Sequence, residues 1–226
     1  MLEKLKKEVY EANLLLPRHG LVIFTWGNVS AIDRDKNLVV IKPSGLNYED
    51  TRPDNMVVVD LKGQTIEGDL KPSSDTLTHL ELYSAFPNIG AVSHTHSRNA
   101  TIFAQNQKSI LPYGTTHADY FHGPIPCLRP LTDQEITNDY ELNTGKVIAQ
   151  SHPDYQGIPG CLVANHGPFT WGRSAYEAVH NAVVLEEIAA MALFCQKAKP
   201  VSKTLLDKHY FRKHGPGASY GQKNPL

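Results

Sequence analysis

Cysteine is scarce in this chain, and neither sign of charge prevails. The three cysteines among 226 residues, Cys127, Cys161 and Cys195, are far apart and form no C-x-x-C pair. That excludes a disulfide scaffold and a thiolate zinc site. The formal net charge is −1, so neither phosphate tracts nor anionic lipid are attracted over the whole surface. Neither a nucleic acid nor a membrane is expected as a partner. No apolar run approaches the length that spans a bilayer, and the opening MLEKLKKEVYEANLLL is too charged for a signal-peptide core, so the expected location is cytoplasmic. Repeats, low-complexity tracts and domain linkers are also missing. Residues 1–226 therefore read as one domain, with a C-terminal tail from about residue 200. There is no Walker A or G-x-G-x-x-G motif, which removes the usual grounds for a nucleotide site.

What is present is ordinary globular material, 41% apolar and 20% charged. Apolar residues at Leu2, Leu5, Val9, Ala12 and Leu16 predict a helix ended by Pro17. Short β-like runs follow at 21–25, 28–32, 38–41 and 56–60, divided by turn residues that suggest antiparallel neighbours. Helices are expected over 76–86, from Ser97 to about Gln105, over 132–150 with a Thr132/Glu135 capping box, and from Ser174 with Glu177. The segments IGAVSH and GCLVANHG read as strands. Strands carrying helices in this order make a layered α+β arrangement.

Two strand ends carry histidine. In AVSHTHS, side chains alternate faces, so His94 and His96 point the same way. NHG adds His166, and Asp75 stands near a helix start. Three or four nitrogen and oxygen ligands from strand ends suit Zn²⁺ with a position left for substrate; an H-x-H pair alone also fits two polar residues closing a strand. TWGNVS, IKPSG and KPSSD combine hydroxyls with small residues, and two of them carry lysine. Freed backbone N–H groups, the hydroxyls and the helix start after Ser73 and Ser74 would cradle a phosphate, although each segment alone also reads as a turn. Asp119 in GTTHADYFHG and Tyr220 in SYGQ are candidate proton carriers. His117 and His122 are weaker additions, and His19, His79, His152, His180 and His214 read as structural.

Taken in order, FTWGNVS, IKPSG, KPSSDTLTH, HTHSRNATIFAQ, GTTHADYF, NHGPFTWG, AVHNAVVLEE, LLDKHYFRKHG and YGQ resemble the class II aldolase/epimerase superfamily, and within it the L-ribulose-5-phosphate 4-epimerase family, over nearly the whole chain. The resemblance implies a three-layer α/β/α fold around a largely antiparallel sheet, one Zn²⁺ per subunit, and a homotetramer with sites between subunits. It implies that His94, His96, His166 and Asp75 are the metal residues. Gly27, Asn28, Lys42, Ser44, Gly45, Ser73 and Ser74 match the phosphate-binding segments. Asp119 and Tyr220 match the acid/base pair, reaching into a neighbour's site, with His209 and Arg212 near the substrate.

The implied activity interconverts L-ribulose 5-phosphate and D-xylulose 5-phosphate. Because C4 is β to the ketone, its hydrogen is not acidified, and inversion needs C3–C4 cleavage to an enediolate and glycolaldehyde phosphate, then re-addition to the other face. Zinc would stabilise the enediolate, and the phosphate pocket would retain the aldehyde. The alternative is a sugar-phosphate aldolase of the fuculose or rhamnulose type, which releases the aldehyde. Asp75 favours the epimerase, since the aldolases resembling this chain carry Glu there. A non-catalytic zinc domain is the distant third reading, and it leaves the phosphate segments unexplained.

Overall fold

The computed structural model describes residues 2–152, 154–195 and 197–220; Gln222 of the YGQ motif lies outside them. The first helix, α1 (Glu3–Arg18), buries Val9, Ala12 and Leu16 along the expected stripe. It runs past Pro17, which occupies the last turn at the cost of the one bond its nitrogen cannot donate. Residues 21–25, expected as a strand, form a loop instead. Phe24 sits at φ 52° and is 77% exposed, turning the chain where an extended run would continue.

Four strands follow, β1 (Gly27–Asp33), β2 (Leu38–Ile41), β3 (Val57–Asp60) and β4 (Thr65–Glu67), with a 3₁₀ turn at Pro53–Asn55 before β3. Next come α2 (Thr76–Ala85), β5 (Ala91–Thr95), α3 (Arg98–Gln105), α4 (Thr115–Ala118) and β6 (Cys127–Leu128). The helix expected over 132–150 is two, α5 (Asp133–Thr137) and α6 (Tyr140–Ser151), because Asp139 turns left-handed at φ 55°. The Thr132/Glu135 capping box forms at the start of α5. The chain ends with β7 (Gly160–Val163), β8 (Pro168–Gly172), α7 (Ala175–Phe194) and α8 (Lys203–Lys213). No stripe announced α8, which buries no residue; its start is fixed by the Ser202 hydroxyl accepting from Leu205 N–H.

The strands form one sheet in the order β4-β3-β2-β1-β5-β8-β7-β6. Every pairing is antiparallel except β6 with β7. Both faces are covered, which explains the unbroken apolar runs LVVI and MVVV. Val57 and Val59 pack toward α2 and α6, whereas Met56 and Val58 pack toward α1 and α7. The result is a three-layer α/β/α fold, with helices on both faces of one sheet. Each fully buried Val or Leu contributes about 1.5–3 kcal/mol, so the two layers lock the sheet on which the site is built. At the start of β5, a Cβ on Gly90 would lie 2.2 Å from the Arg173 carbonyl oxygen. Among the described residues, no helix is long and apolar enough to cross a membrane.

Candidate active site

His94 and His96 leave the same face of β5 and its end, as the period of two requires. His166 joins them from the turn between β7 and β8, where Asn165 adopts φ 62°. Antiparallel pairing of β5 with β8 sets His94 opposite Phe169, and the two rings stack 4.1 Å apart. The three imidazoles form a nearly equilateral group with centroid separations of 4.7, 5.0 and 5.1 Å. One nitrogen from each lies within 4.8 Å of the others.

Two observations test whether these residues fit a metal. His94 Nδ1 lies 2.9 Å from the Pro168 carbonyl oxygen. A carbonyl only accepts, so Nδ1 carries the proton and Nε2 keeps its lone pair. Burial, with the neighbouring imidazoles, lowers the pKa of His166 to about 3 and also shifts that of His96 downward. Both therefore stay neutral, the form that ligates. The group fits a divalent ion. Asp75, expected beside it, lies outside the mutual 4.8 Å set, and its carboxylate accepts from Asn28 Nδ2 at 2.6 Å. Burial raises the Asp75 pKa, but the neighbouring His94 and His79 imidazoles and the Asn28 bond outweigh that and hold it down.

Two glycines let the strands close on this edge. A Cβ on Gly27 would lie 2.9 Å from the His94 carbonyl oxygen, and one on Gly167 would lie 2.8 Å from that of Thr95. Gly27 is thus required by close approach.

The same cavity, about 540 Å³, is lined by Gly27, Asn28, Lys42, Ser44, Gly45, Ser73, Ser74, Asp75 and all three histidines. Every residue expected for metal or phosphate is therefore brought together. One part of the expectation needs correcting. The Ser44 and Ser73 N–H groups are not free for an anion, because they donate to Lys71 and Lys42 carbonyls and zip the two segments together. The hydroxyls and the Lys42 ammonium remain as donors. Lys42 is almost fully buried, with Nζ donating to the Pro43 carbonyl at 3.3 Å and 4.9 Å from the Tyr48 ring centroid. Burial lowers its pKa to about 8. Asn28 Oδ1 is buried and has no partner among the described residues.

Thr25, Trp26, Pro43, Tyr140 and Glu141 also line the cavity, and the sequence reading assigned them no role. The Asn138-Asp139 pair before Tyr140 was the available sign that a new helix begins there.

Asp119, Tyr220, His209 and Arg212 form a separate cluster. Asp119 Oδ1 accepts from His209 Nδ1 at 2.9 Å, and Arg212 donates to both carboxylate oxygens at 3.1 and 2.9 Å. Lys213 Nζ lies 3.4 Å from Oδ2. Tyr220 folds back on α8, its ring 5.3 Å from the Arg212 guanidinium and 4.3 Å from Lys213 Nζ. Burial raises the Asp119 pKa, but the Arg212 and His209 hydrogen bonds and the Lys213 charge hold it below the usual carboxylate range. Asp119 is therefore an anchored anion that orients His209 and leaves the second imidazole nitrogen for other work. None of these four residues lines the metal cavity of its own chain.

The model of the Class II Aldolase and Adducin N-terminal domain family matches residues 7–193, and the chain belongs to that family. Solved structures share the fold over nearly their whole length. An L-fuculose 1-phosphate aldolase is 24% identical, covering 92% of this chain and 95% of its own, with a TM-score of 0.76. The L-fuculose-1-phosphate aldolase of Thermus thermophilus is 23% identical over 88% and 99%, with a TM-score of 0.70. YgbL of Escherichia coli, whose description leaves aldolase, epimerase and decarboxylase open, is 26% identical over 91% and 97%, with a TM-score of 0.73. Fold, family and the three-histidine group together define a metal-binding enzyme of the class II aldolase superfamily.

Proposed function

We infer that the protein breaks and re-forms a carbon–carbon bond of a phosphorylated ketose. The supporting observation is that one cavity holds the His94, His96 and His166 group beside Lys42, Ser44, Ser73 and Ser74. A divalent ion held by the imidazoles, which we take to be Zn²⁺, supplies Lewis-acid stabilisation of charge developing on the ketose oxygens. Lys42 and the hydroxyls hold the phosphate, keeping the aldehyde fragment in place. Asn28 fixes Asp75 and has Oδ1 left to accept from a substrate hydroxyl. Proton traffic at the cleaved hydroxyl falls to Tyr220 and to His209 backed by Asp119. Since these lie outside their own chain's cavity, the reading includes a homotetramer in which a neighbour supplies them.

Two outcomes of this chemistry compete. The named neighbours give more support to release of the aldehyde, since two of the three are fuculose-phosphate aldolases. Asp75 supports re-addition, because a short carboxylate tied to Asn28 is poorly free to work as the acid/base at C3. The finer reading carried forward is 4-epimerisation of L-ribulose 5-phosphate to D-xylulose 5-phosphate, which would serve arabinose or sugar-acid breakdown. Zn²⁺-loaded protein given L-ribulose 5-phosphate is expected to form D-xylulose 5-phosphate without free glycolaldehyde phosphate. Accumulation of the aldehyde moves the assignment to an aldolase, and turnover of neither kind removes it.

A further inference from the structure

The outward nitrogen of a metal-ligating imidazole normally donates its proton to an oxygen, which sets the tautomer and aims the other nitrogen at the ion. For His94 that oxygen is the Pro168 carbonyl. For His166 the partner is a side chain from another element: Tyr140 Oη lies 3.3 Å from Nδ1, with the rings 5.9 Å apart. His166 stands in a turn, not on a strand, so no ladder of backbone bonds holds its ring. Tyr140 is the first residue of α6, set in place by the left-handed Asp139, and it lines the metal cavity with Glu141.

We propose that Tyr140 is a positioning residue for the metal centre, its hydroxyl oxygen accepting the Nδ1–H of His166 so that Nε2 faces the ion. The reverse arrangement, with Tyr140 donating to Nδ1, would leave a proton on Nε2 and present an N–H to His94 and His96. Binding a cation there requires that proton to leave, so the accepting arrangement belongs to the loaded site. The break between α5 and α6 thereby acquires a purpose. It places a phenol hydroxyl, from a helix that contributes no ligand, behind the one imidazole of the three that sits in a turn. The proposal concerns metal binding alone and does not depend on which sugar phosphate is turned over.

Tyr140→Phe keeps the ring and deletes the acceptor. Against a chromophoric chelator, its Zn²⁺ Kd is expected to rise about tenfold or more, and the visible bands of the Co²⁺-loaded protein are expected to change. A Kd within about twofold of the parent, with an unchanged Co²⁺ spectrum, overturns the proposal. The second arm repeats the substitution in His166→Ala, where residual Zn²⁺ binding is expected to be indifferent to residue 140. An equal loss on that background means that Tyr140 only supports the fold, and the proposal fails. Neither arm contains a sugar phosphate, so the result is independent of the product assay.

Discussion

At the scale of single residues, the site is governed by groups that burial has moved off their ordinary protonation. Burial lowers the His166 pKa to about 3 and shifts that of His96 the same way. An ordinary imidazole takes up its proton near pH 6.5 and loses metal there. Near pH 7 neither of these two imidazoles therefore has a proton to lose on binding Zn²⁺, and His96→Ala should remove most of the Zn²⁺ affinity, measured by chelator competition. Lys42 is shifted in the same direction. Burial lowers its pKa to about 8, so it is charged below pH 8 and loses its proton above. Sulfate, whose charge is constant over this range, should bind more weakly as pH rises from 7 to 9, and Lys42→Met should bind it weakly and flatly across that range, as read by calorimetry. A bound sulfate favours the ammonium, so binding near pH 8 should take up protons from the buffer. The three histidines were legible because strand alternation and a terminal NHG turn are local patterns. Tyr140 was not, since its meeting with His166 spans 26 residues and follows from the break at Asp139.

Among elements, α8 is fastened by polar contacts, most of them to one anion. Asp119 at the end of α4 accepts from His209 and Arg212 and lies beside Lys213, and its backbone carbonyl accepts from His214 Nε2. With no residue of α8 buried, these bonds, with the His122–Asp207 bond and the His122 ring stacked on Tyr210, hold the helix in place of an apolar face. Asp119→Asn replaces charged hydrogen bonds by weaker ones, at a cost of about 2 kcal/mol. It should speed proteolysis near residues 197–202 and lower turnover while bound metal stays constant; unchanged proteolysis would mean that α8 is held otherwise. The same feature explains why the sequence did not show α8. A helix fastened by polar groups has no hydrophobic period, and Gly and His in its neighbourhood read as tail. The 21–25 run misled in the other direction, because its apolar residues lie at a loop surface, with Ile23 and Phe24 exposed.

At the scale of the whole molecule, the candidate site is divided. The metal cavity and the Asp119, His209 and Tyr220 cluster occupy different regions of one chain. If a neighbour completes each site, a Lys42→Met chain mixed with a Tyr220→Phe chain should regain activity that neither homo-oligomer has. Complementary defects then leave some sites intact. No recovery after joint unfolding and refolding would assign the whole reaction to one subunit. The layered fold was visible in the order of helices and apolar runs, because each run needs a cover on both faces. The division of the site was expected from the family resemblance alone, since contiguity along a chain carries no information about which copy a residue faces.

The β5 segment connects these scales. It is pinned at its start, where Gly90 presses on the Arg173 carbonyl, and again at its end, where Gly27 and Gly167 close on the His94 and Thr95 carbonyls. Between the pins, Ala91, Val92 and Ser93 are fully buried, so packing restricts their identity and the pins fix their number. One residue added or lost would turn His94 to the opposite face and leave one of the two pins out of register. Related chains should therefore keep the length of this stretch, and insertions should fall in the loops on either side.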